Sequence, residues 1–560
     1  MITPTVKQQE IRDHVGLDLR VVAPAGCGKT EALALRIQGI LDRGMVAAPR
    51  RILVTTFSNR ARDNIKERLS SYLTNPTLRD RVAVSNFHGL SARIFRAHAA
   101  VIGLDPEMTL PESDWVDEQT KARNLNYNDA ARVKAILQKI KQQALNDADV
   151  ERQLVAIGNN DAIDIERLRV DENRLTYDDL PRLAELILQC DKAAELYQQH
   201  FGAVIVDEFQ DLTPQQLRIV NRIGYQRTTY AGDLAQGIYG FAGARPVEVD
   251  QSISRECSAE ITFNESHRSS PAVLAAVNAL TPLTGGQVLT AAAPNSWPSG
   301  GLAGLVRFAY VSDEASRAVS FARCVLKRAP KQRIGVIART ANRRRFVDAA
   351  FETSGLSIFR WDDGVMDTDT AKLMKSLLSR LDIKTVERAS NQLEYLREAV
   401  GLASVQDPST RESLASATSW CLDLITQGEP VAAIRKRIKI GDETTLLTAP
   451  GVHLLTGHVG KGQQFDWVWI VGAEQGTMPF FKAQSKEDKA EEARVMSVMM
   501  SRARHGVVVT YTGNVPTLGG NVRRVEPSEF LTQFNSLEML DMEGVKDWFR
   551  VADWSTIARR

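Results

Sequence analysis

The sequence predicts an α/β protein with two open parallel-sheet domains, each interrupted by a helical insertion. Three observations lead to this fold class. Short apolar runs that read as buried strands recur near the start of the chain and again after residue 304. Stretches with helical spacing follow these runs, as in strand–helix–strand units. Two polar, helix-forming regions, at about 98–195 and 358–447, separate the strands within each set.

The first set of strands begins with "LRVV" at residues 19–22, followed by a glycine-rich loop and the helical pattern "TEALALRIQGIL". A second strand and helix follow in "RRILVTTFSNRARDNIKERL". Two further strands are expected in "AVIVDEFQD", from about residue 203, and in "TTYAGDLAQ", near residue 229. Helix formers such as "ARVKAILQKIKQQAL" fill the region between them, which predicts a helical insertion.

The second set begins near residue 304 with "GLVRFAYV" and "RIGVIART" and resumes with "GVHLLTGHVGKGQQFDWVWIVG" and "HGVVVTYTG". The stretch "AKLMKSLLSRL" is typical of the helices expected between the two parts. We therefore predict a first domain at 1–97 and 196–275 with an insertion at 98–195, a second domain at 276–357 and 448–530 with a reduced insertion at 358–447, and a C-terminal tail at 531–560.

Composition sets limits on the class of protein. The 560 residues are 43% hydrophobic and 25% charged, with a net charge of +2, so a nucleic-acid site would be a local groove rather than an overall basic field. The five cysteines form no CxxC pair, which argues against a zinc or iron–sulfur site and suits a reducing compartment. No apolar stretch is long enough to span a membrane. We expect a cytoplasmic protein.

The segment "VVAPAGCGKT", residues 21–30, has the residues of a phosphate-binding loop between a strand and a helix. Gly26 and Gly28 let main-chain N–H groups curl around phosphate oxygens, Lys29 neutralises phosphate charge and the Thr30 hydroxyl is a ligand for Mg²⁺. Ala23 stands where a first glycine is expected, and a Cβ is harmless there if φ is negative. The alternative is a glycine-rich turn with a chance GKT sequence.

The strand "VIVDEFQD" supplies the second half of such a site. Asp207, at the end of the strand, is placed to hold Mg²⁺ through water, and Glu208 to polarise an attacking water molecule. Two surface acids after a buried strand are common, but less so beside a phosphate loop.

These motifs, with several others in the same order, resemble those of superfamily 1 DNA helicases of the UvrD/Rep/PcrA type over nearly the whole chain. The family's second motif reads DExQD, as in "DEFQD". The other matching segments are "TTFSNRA" (55–61), "NFHGLSARI" (86–94), "TYDDL" (176–180), "GDLAQGIYGFAGA" (232–244), "HRSSP" (267–271), "TGHVGKGQQF" (456–465) and "EEARVMSVMMSRA" (491–503). The resemblance implies two RecA-like P-loop motor domains, hydrolysis of ATP with Mg²⁺, and single-stranded DNA and its junctions with duplex as ligands.

The resemblance also implies a role for each of a set of residues. The implied catalytic residues are Lys29, Glu208, Gln236, Arg268 and Arg502. The implied ATP contacts are Gln8, Ala25, Gly26, Cys27, Gly28, Lys29, Thr30, His267 and Gln464. The implied ligands of Mg²⁺ are Thr30 and Asp207. The implied DNA contacts are Phe57, Asn59, His88, Tyr239, Phe241 and His458.

Within this resemblance, Gln210 and Gln236 would sense the γ-phosphate and report its loss to the DNA groove. Three positions depart from the family pattern: His267 replaces a tyrosine, Glu31 an arginine and Gln464 a glutamate. Base and ribose recognition are therefore expected to differ, while the phosphate machinery is complete. Two basic clusters, "NRRRF" (342–346) and "RKRIKI" (435–440), read either as phosphate contacts or as solvated helix faces.

Three functions fit the sequence. The leading hypothesis is an ATP-driven helicase or translocase that moves 3′ to 5′ on single-stranded DNA, in repair, replication restart or phage defence. The second is a nucleotide-gated DNA-binding ATPase subunit that controls a partner nuclease. The second insertion, about half the length expected of large family members, favours it, and compact relatives with nuclease partners include Gabija-type defence helicases. The third is a P-loop ATPase unrelated to nucleic acid.

Overall fold

The first parallel sheet has six strands, and their carboxyl ends meet at one edge. A computed structural model describes residues 4–57, 59–111, 115–361, 365–366, 368–405, 408–426, 428–440, 449–459, 461–517 and 521–559. The strands of the first sheet are β1 (Leu19–Val22), β2 (Arg51–Thr56), β3 (Val82–Asn86), β4 (Phe201–Asp207), β5 (Thr228–Gly232) and β6 (Glu260–Thr262). Their order across the sheet is β3-β2-β4-β5-β1-β6, and every pair is parallel.

Helices cover both faces of this sheet and form the first insertion. They are α1 (Val6–Asp13), α2 (Lys29–Asp42), α3 (Asn59–Ser70), α4 (Asn75–Arg81), α5 (Phe87–His98), α6 (Trp115–Ala122), α7 (Tyr127–Lys141), α8 (Asp147–Ile157), α9 (Asn160–Asp171), α10 (Asp179–Leu188), α11 (Asp191–His200), α12 (Pro214–Gly224) and α13 (Pro246–Glu256). Because both faces of the sheet are covered, its central strands β4 and β5 are buried along their whole length.

The second sheet is parallel except at one edge. A short pair, β7 (Glu265–Ser266) and β8 (Thr290–Ala291), precedes it. Its strands are β9 (Leu302–Tyr310), β10 (Arg333–Ala338), β11 (Ile358–Arg360), β14 (Gly451–Thr456), β15 (Phe465–Val471), β16 (Ala503–Pro516) and β17 (Val522–Arg524), while β12 (Val365–Met366) and β13 (Lys439–Ile440) pair within the second insertion. The order is β11-β14-β10-β15-β16-β17, with β9 also on β16, and only the β16–β17 pair is antiparallel.

The remaining helices are α14 (Pro271–Ala279), α15 (Thr281–Thr284), α16 (Val311–Arg328), α17 (Ala341–Glu352), α18 (Thr368–Arg380), α19 (Ile383–Arg388), α20 (Gln392–Val400), α21 (Pro408–Thr426), α22 (Val431–Arg437), α23 (Lys486–Ser501), α24 (Met542–Val551) and α25 (Trp554–Arg559). A capping box of Ser485 and Asp488 fixes the start of α23. In the described part of the chain, no helix is both long and apolar enough to cross a membrane.

Two parallel sheets with helices on their faces confirm the predicted fold class. Each insertion has its own apolar core, formed by α6–α9 in the first and by α18–α22 in the second. Helices α10 and α11, inside the predicted range 98–195, instead pack with the core of the first sheet. An amphipathic helix has the same apolar periodicity whether it packs on the sheet or on the insertion. The sequence pattern therefore did not distinguish α10 and α11 from the helices of the insertion.

The C-terminal helices are part of the second domain. Trp548 and Phe549 of α24 and Ile557 of α25 are buried in the same core as Trp467 of β15. The indole N–H of Trp467 donates to Oε1 of Gln332 (2.7 Å), whose Nε2 donates to the carbonyl of Ile557 (2.9 Å). The predicted tail at 531–560 therefore docks on the body of the chain.

Candidate nucleotide cleft and nucleic-acid interface

The phosphate loop follows β1 and leads into α2, and its glycines hold conformations that other residues rarely adopt. Gly26 has a φ of +87° and Gly28 a φ of +84°. A Cβ atom at Gly26 would lie 2.5 Å from Cβ of Arg268, and one at Gly28 would lie 2.7 Å from Nε2 of Gln8. Ala23 is outside the positive-φ region, and its N–H continues the strand ladder onto β5 (2.8 Å). Alanine therefore fits this position.

Two carboxylates stand at the end of β4, beside the phosphate loop. Nζ of Lys29 lies 3.2 Å from Oδ1 of Asp207 and 2.5 Å from Oε2 of Glu208. Glu208 has a φ of +58°. This left-handed conformation costs a non-glycine residue about 1–3 kcal/mol and is frequent at active sites. The strain is consistent with a catalytic role for Glu208.

Burial and charge shift the pKa values of these groups. Burial would raise the pKa of Glu208, but the ammonium groups of Lys29 and Lys461 overcome it and lower the pKa to about 2. Burial raises the pKa of Asp207, and Lys29 only partly opposes this. Burial would lower the pKa of Lys29, but Asp207 and Glu208 reverse the effect and raise it. At neutral pH Glu208 is therefore a carboxylate and Lys29 an ammonium.

Arg268 approaches the cleft from the end of β7. Its side chain packs on the phosphate loop, and the N–H of the preceding residue, His267, donates to the carbonyl of Gly26 (3.0 Å). Burial lowers the pKa of Arg268 to about 10, with a small opposing effect from neighbours that include Glu208. The guanidinium thus stays charged at neutral pH.

Arg502 approaches from the second domain, at the end of α23. Its Nη1 donates to the carbonyl of Val459 (2.8 Å) and its Nη2 to the carbonyl of Gly457 (2.7 Å). Burial lowers its pKa to about 10. Its Nε is buried and has no hydrogen-bond partner among the described residues. A buried donor of this kind calls for an acceptor, and an anion in the cleft would supply one.

A cavity of about 700 Å³ lies between the two domains, and both arginines line it. This is a usual size for a small-molecule site. Thr30 and Asp207, the predicted Mg²⁺ ligands, both line this cavity, and the described residues contain no cluster of three or more His, Cys, Asp or Glu side chains that would form a complete metal cage. Such a site fits Mg²⁺, which usually takes few protein ligands and completes its shell with substrate phosphates and water.

A polar chain leads from the carboxylates toward the next strand. Nε2 of Gln210 donates to Oε2 of Glu208 (2.5 Å), and Oε1 of Gln210 accepts from the N–H of Asp233 (2.9 Å). Nε2 of Gln236 in turn donates to Oδ2 of Asp233 (2.9 Å). The two predicted sensor glutamines are therefore linked through Asp233, just before Tyr239.

An ion pair closes the cleft between the domains. Nζ of Lys461, in the loop between β14 and β15, lies 2.6 Å from Oδ1 of Asp211 and 4.9 Å from the ring centre of Tyr239. Burial raises the pKa of Asp211 to about 6, although Lys461 opposes the shift. Both residues belong to motifs that resemble the family's, in "DEFQD" and "TGHVGKGQQF", but the sequence predicted a role for neither.

The base end of the cleft is built from several elements. The side chains of His267, Gln464, Glu31 and Arg68 line the cavity, and Nε of Arg68 lies 3.1 Å from Oε2 of Glu31. Arg68, on α3, was not predicted, because an isolated arginine on a helix carries no signal. The amide of Gln8 binds main chain at both ends, accepting from the N–H of Thr5 (2.9 Å) and donating to the carbonyl of Gly28 (3.3 Å).

Two other predicted nucleotide contacts differ in their exposure. Ala25 lines the cavity. The side chain of Cys27 is buried in the core of the first sheet, and burial raises its thiol pKa to about 12. Only the main chain of Cys27 is thus available to a phosphate.

Four predicted DNA contacts form a continuous aromatic row of Phe57, Tyr239, Phe241 and His458. Phe57 and Tyr239 stack with ring centres 5.0 Å apart, Tyr239 and Phe241 are 5.9 Å apart, and Phe241 meets His458 of the second domain edge-on at 5.3 Å. Phe241 is 68% exposed and Phe57 37% exposed. Exposed aromatic side chains in a row are a stacking platform for bases.

His88 contacts a residue outside this row, and Asn59 cannot be placed relative to it. The ring of His88 meets Tyr177 edge-on at 5.3 Å. Burial lowers its pKa to about 4, so the imidazole is neutral at physiological pH. The side chain of Asn59, at the start of α3, lies outside the described residues.

The basic cluster at 342–346 is largely structural. Nη2 of Arg343 lies 2.6 Å from Oε2 of Glu314 and 2.8 Å from Oε1 of Glu474, and Nε of Arg344 lies 2.9 Å from Oδ1 of Asp348. Only Arg345 of the three arginines is not buried. Neither predicted alternative, phosphate contacts or a solvated helix face, fits Arg343 and Arg344, because both are buried. Arg343 is paired with carboxylates of other elements and Arg344 with a carboxylate of its own helix.

Comparison with known proteins agrees with this geometry. The family model of the UvrD/REP helicase N-terminal domain matches residues 5–255, and that of the UvrD-like helicase C-terminal domain matches residues 378–514. The ATP-dependent DNA helicase UvrD2 of Mycobacterium tuberculosis (strain ATCC 25618 / H37Rv) is 25% identical over 91% of this chain and 78% of its own length. The ATP-dependent DNA helicase Rep of Escherichia coli (strain K12) is 29% identical over 49% of this chain and 42% of its own.

The chain belongs to the UvrD/Rep helicase family. Its two sheets are the two RecA-like domains of that family, and the chain is an enzyme of the hydrolase class. The predicted family and fold are thereby confirmed. In this UvrD/Rep-type chain the cleft unites the phosphate loop, Asp207, Glu208 and the two arginines.

Proposed function

We propose that the chain couples ATP hydrolysis in the interdomain cleft to 3′-to-5′ movement along single-stranded DNA and to the separation of duplex. One observation carries the proposal. Phe57 and Tyr239 line the nucleotide cavity and also begin the aromatic row. The same two side chains would therefore contact both the nucleotide in the cleft and a bound DNA strand.

The cleft supports in-line attack on a terminal phosphoryl group. Glu208, ionised at neutral pH, orients and polarises the attacking water. Lys29 holds the phosphates, and Arg268 and Arg502 face the charge that develops on the phosphoryl oxygens. Mg²⁺, held by Thr30 and Asp207, would neutralise phosphate charge.

Movement along the strand follows from closure of the cleft. The row crosses the domain boundary at the Phe241–His458 contact. Opening and closing the cleft changes the spacing between these two rings, and stacked bases would be passed from one to the other. The names of the related UvrD2 and Rep proteins, both ATP-dependent DNA helicases, support this function.

Strand displacement tests the proposal. A duplex with a 3′ single-stranded tail is expected to be unwound in the presence of ATP and Mg²⁺, and a matched duplex with a 5′ tail is not. Equal activity on both substrates would contradict the direction.

The second candidate is a nucleotide-gated subunit that controls a partner nuclease. The observation that favours it is the small second insertion, whose apolar core is built mainly from five helices, α18–α22, in the described range. This second function predicts DNA-stimulated ATP hydrolysis without strand displacement. The strand-displacement assay therefore distinguishes the two functions.

A further inference from the structure

Glu491, near the start of α23, contacts the loop that carries the first-domain half of the aromatic row. Its Oε1 accepts a hydrogen bond from the N–H of Gly240 (2.9 Å), the residue between Tyr239 and Phe241. The approach is close, since a Cβ at Gly240 would lie 2.1 Å from Oε2 of Glu491. A side chain of the second domain thus holds the main chain of the first.

The next residue, Glu492, is linked through Arg339 to His458, the second-domain member of the row. Glu492 pairs with Arg339 (2.6 Å) and accepts from the N–H of Phe480 (3.0 Å). Nη1 of Arg339 lies 3.4 Å from Nδ1 of His458. Two consecutive glutamates therefore sit on either side of the Phe241–His458 contact, one joined to each domain.

The same helix ends in the cleft. Residues 492–500 of α23 are buried, and Arg502 follows at its carboxyl end. About 16 Å of helix separates Glu491 from Arg502 at 1.5 Å per residue. A buried helix of this length moves as a rigid rod, so its two ends shift together.

We propose that Glu491 is a positioning residue that ties the aromatic loop to the helix carrying Arg502, so that movement of Arg502 toward nucleotide changes the fit of the row to a strand. The inference rests on the proposed function. The contact needs only an acceptor oxygen. Burial raises the pKa of Glu491, and the N–H of Gly240 and the guanidinium of Arg494 partly oppose this shift.

The test is steady-state ATP hydrolysis against the concentration of a single-stranded oligonucleotide. Glu491→Ala is expected to keep the DNA-free rate within about twofold and to raise the DNA concentration for half-maximal stimulation about tenfold, the loss of one hydrogen bond to a carboxylate. Glu491→Gln keeps an acceptor oxygen and is expected to behave as the native chain. Rescue by glutamine distinguishes positioning from a loss of stability.

Gly240→Ala gives an independent way to disturb the same contact, since φ at Gly240 is not positive and the three atoms nearest to an added Cβ all belong to the Glu491 carboxylate. It should reproduce the Glu491→Ala defect, and the double variant should be no worse than either single one. Additive losses, a Glu491→Gln chain as defective as Glu491→Ala, or native behaviour of Glu491→Ala would overturn the inference. Absence of DNA stimulation in the native chain would instead overturn the proposed function.

Discussion

Nζ of Lys461, in the second domain, lies 2.6 Å from Oδ1 of Asp211, in the first, and both border the nucleotide cavity. The pair is almost fully buried. Breaking one partner of a buried pair costs about 3–5 kcal/mol, because the other charge is left without compensation. Loss of either partner therefore disfavours the closed cleft, in which the remaining charge would be buried alone.

Lys461→Met is expected to shift the two domains toward an open arrangement. Energy transfer between dyes on the two domains would fall relative to the native chain, and addition of Asp211→Asn would restore part of it, because the buried carboxylate is no longer left unpaired. Equal transfer efficiency in the native chain and in Lys461→Met would show that the pair does not hold the cleft.

The catalytic assignment predicts different defects at two residues in contact. Glu208→Gln removes the base but preserves shape, so turnover should fall about 10²–10⁴-fold while ATP binding is retained. Lys29→Ala removes the phosphate contact and should weaken ATP binding as well. Turnover and the binding of a fluorescent ATP analogue, measured side by side, check both. Normal turnover in Glu208→Gln would contradict its role.

The aromatic row predicts losses of DNA affinity without loss of fold. Tyr239→Ala and Phe57→Ala should each weaken binding of single-stranded DNA by about 1–3 kcal/mol, the contribution of one stacked base. Tyr225→Ala removes an exposed tyrosine at the end of α12, outside the row, and serves as the matched control. Fluorescence anisotropy gives the affinities, and equal values in all three variants would exclude stacking on the row.

Two half-buried histidines predict a dependence of stability on pH. Burial lowers the pKa of His88 from 6.5 to about 4. Burial, with Arg339 and other cations, does the same for His458. The unfolded chain takes up protons below about pH 6.5 and the folded chain only near pH 4, so their contribution is full above that window and is lost as pH falls through it.

His88→Gln should therefore flatten the fall in unfolding temperature between pH 6.5 and pH 4, since this histidine contributes up to about 3 kcal/mol. Differential scanning calorimetry at several pH values measures the slope. The same slope in the variant and the native chain would mean that His88 titrates normally in the folded state.

Much of the fold was predictable because buried parallel strands are apolar along their whole length. The strand ending at Asp207 is such a case up to its last residue. "LRVV" is apolar except at Arg20. Strand β3 was not predicted, because Ser85 and Asn86 interrupt its apolar run. The phosphate-binding part of the site followed from local motifs, whose chemistry lies in residues adjacent in sequence.

The part of the site that the sequence did not predict depends on contacts between segments that are distant in the chain. The Lys461–Asp211 and Glu491–Gly240 contacts each join residues about 250 positions apart. No spacing rule connects such residues, and only the packing of the two domains brings them together. The same holds for Arg343, whose partners Glu314 and Glu474 lie on other elements.

The central claim is that the nucleotide cleft and the aromatic row act as one unit. Its most direct test is the rate of ATP hydrolysis by the native chain and by Tyr239→Ala, each with and without single-stranded DNA. We expect strong stimulation of the native chain and a large loss of that stimulation in Tyr239→Ala, with little change in its DNA-free rate. A native rate that is the same with and without DNA would contradict it.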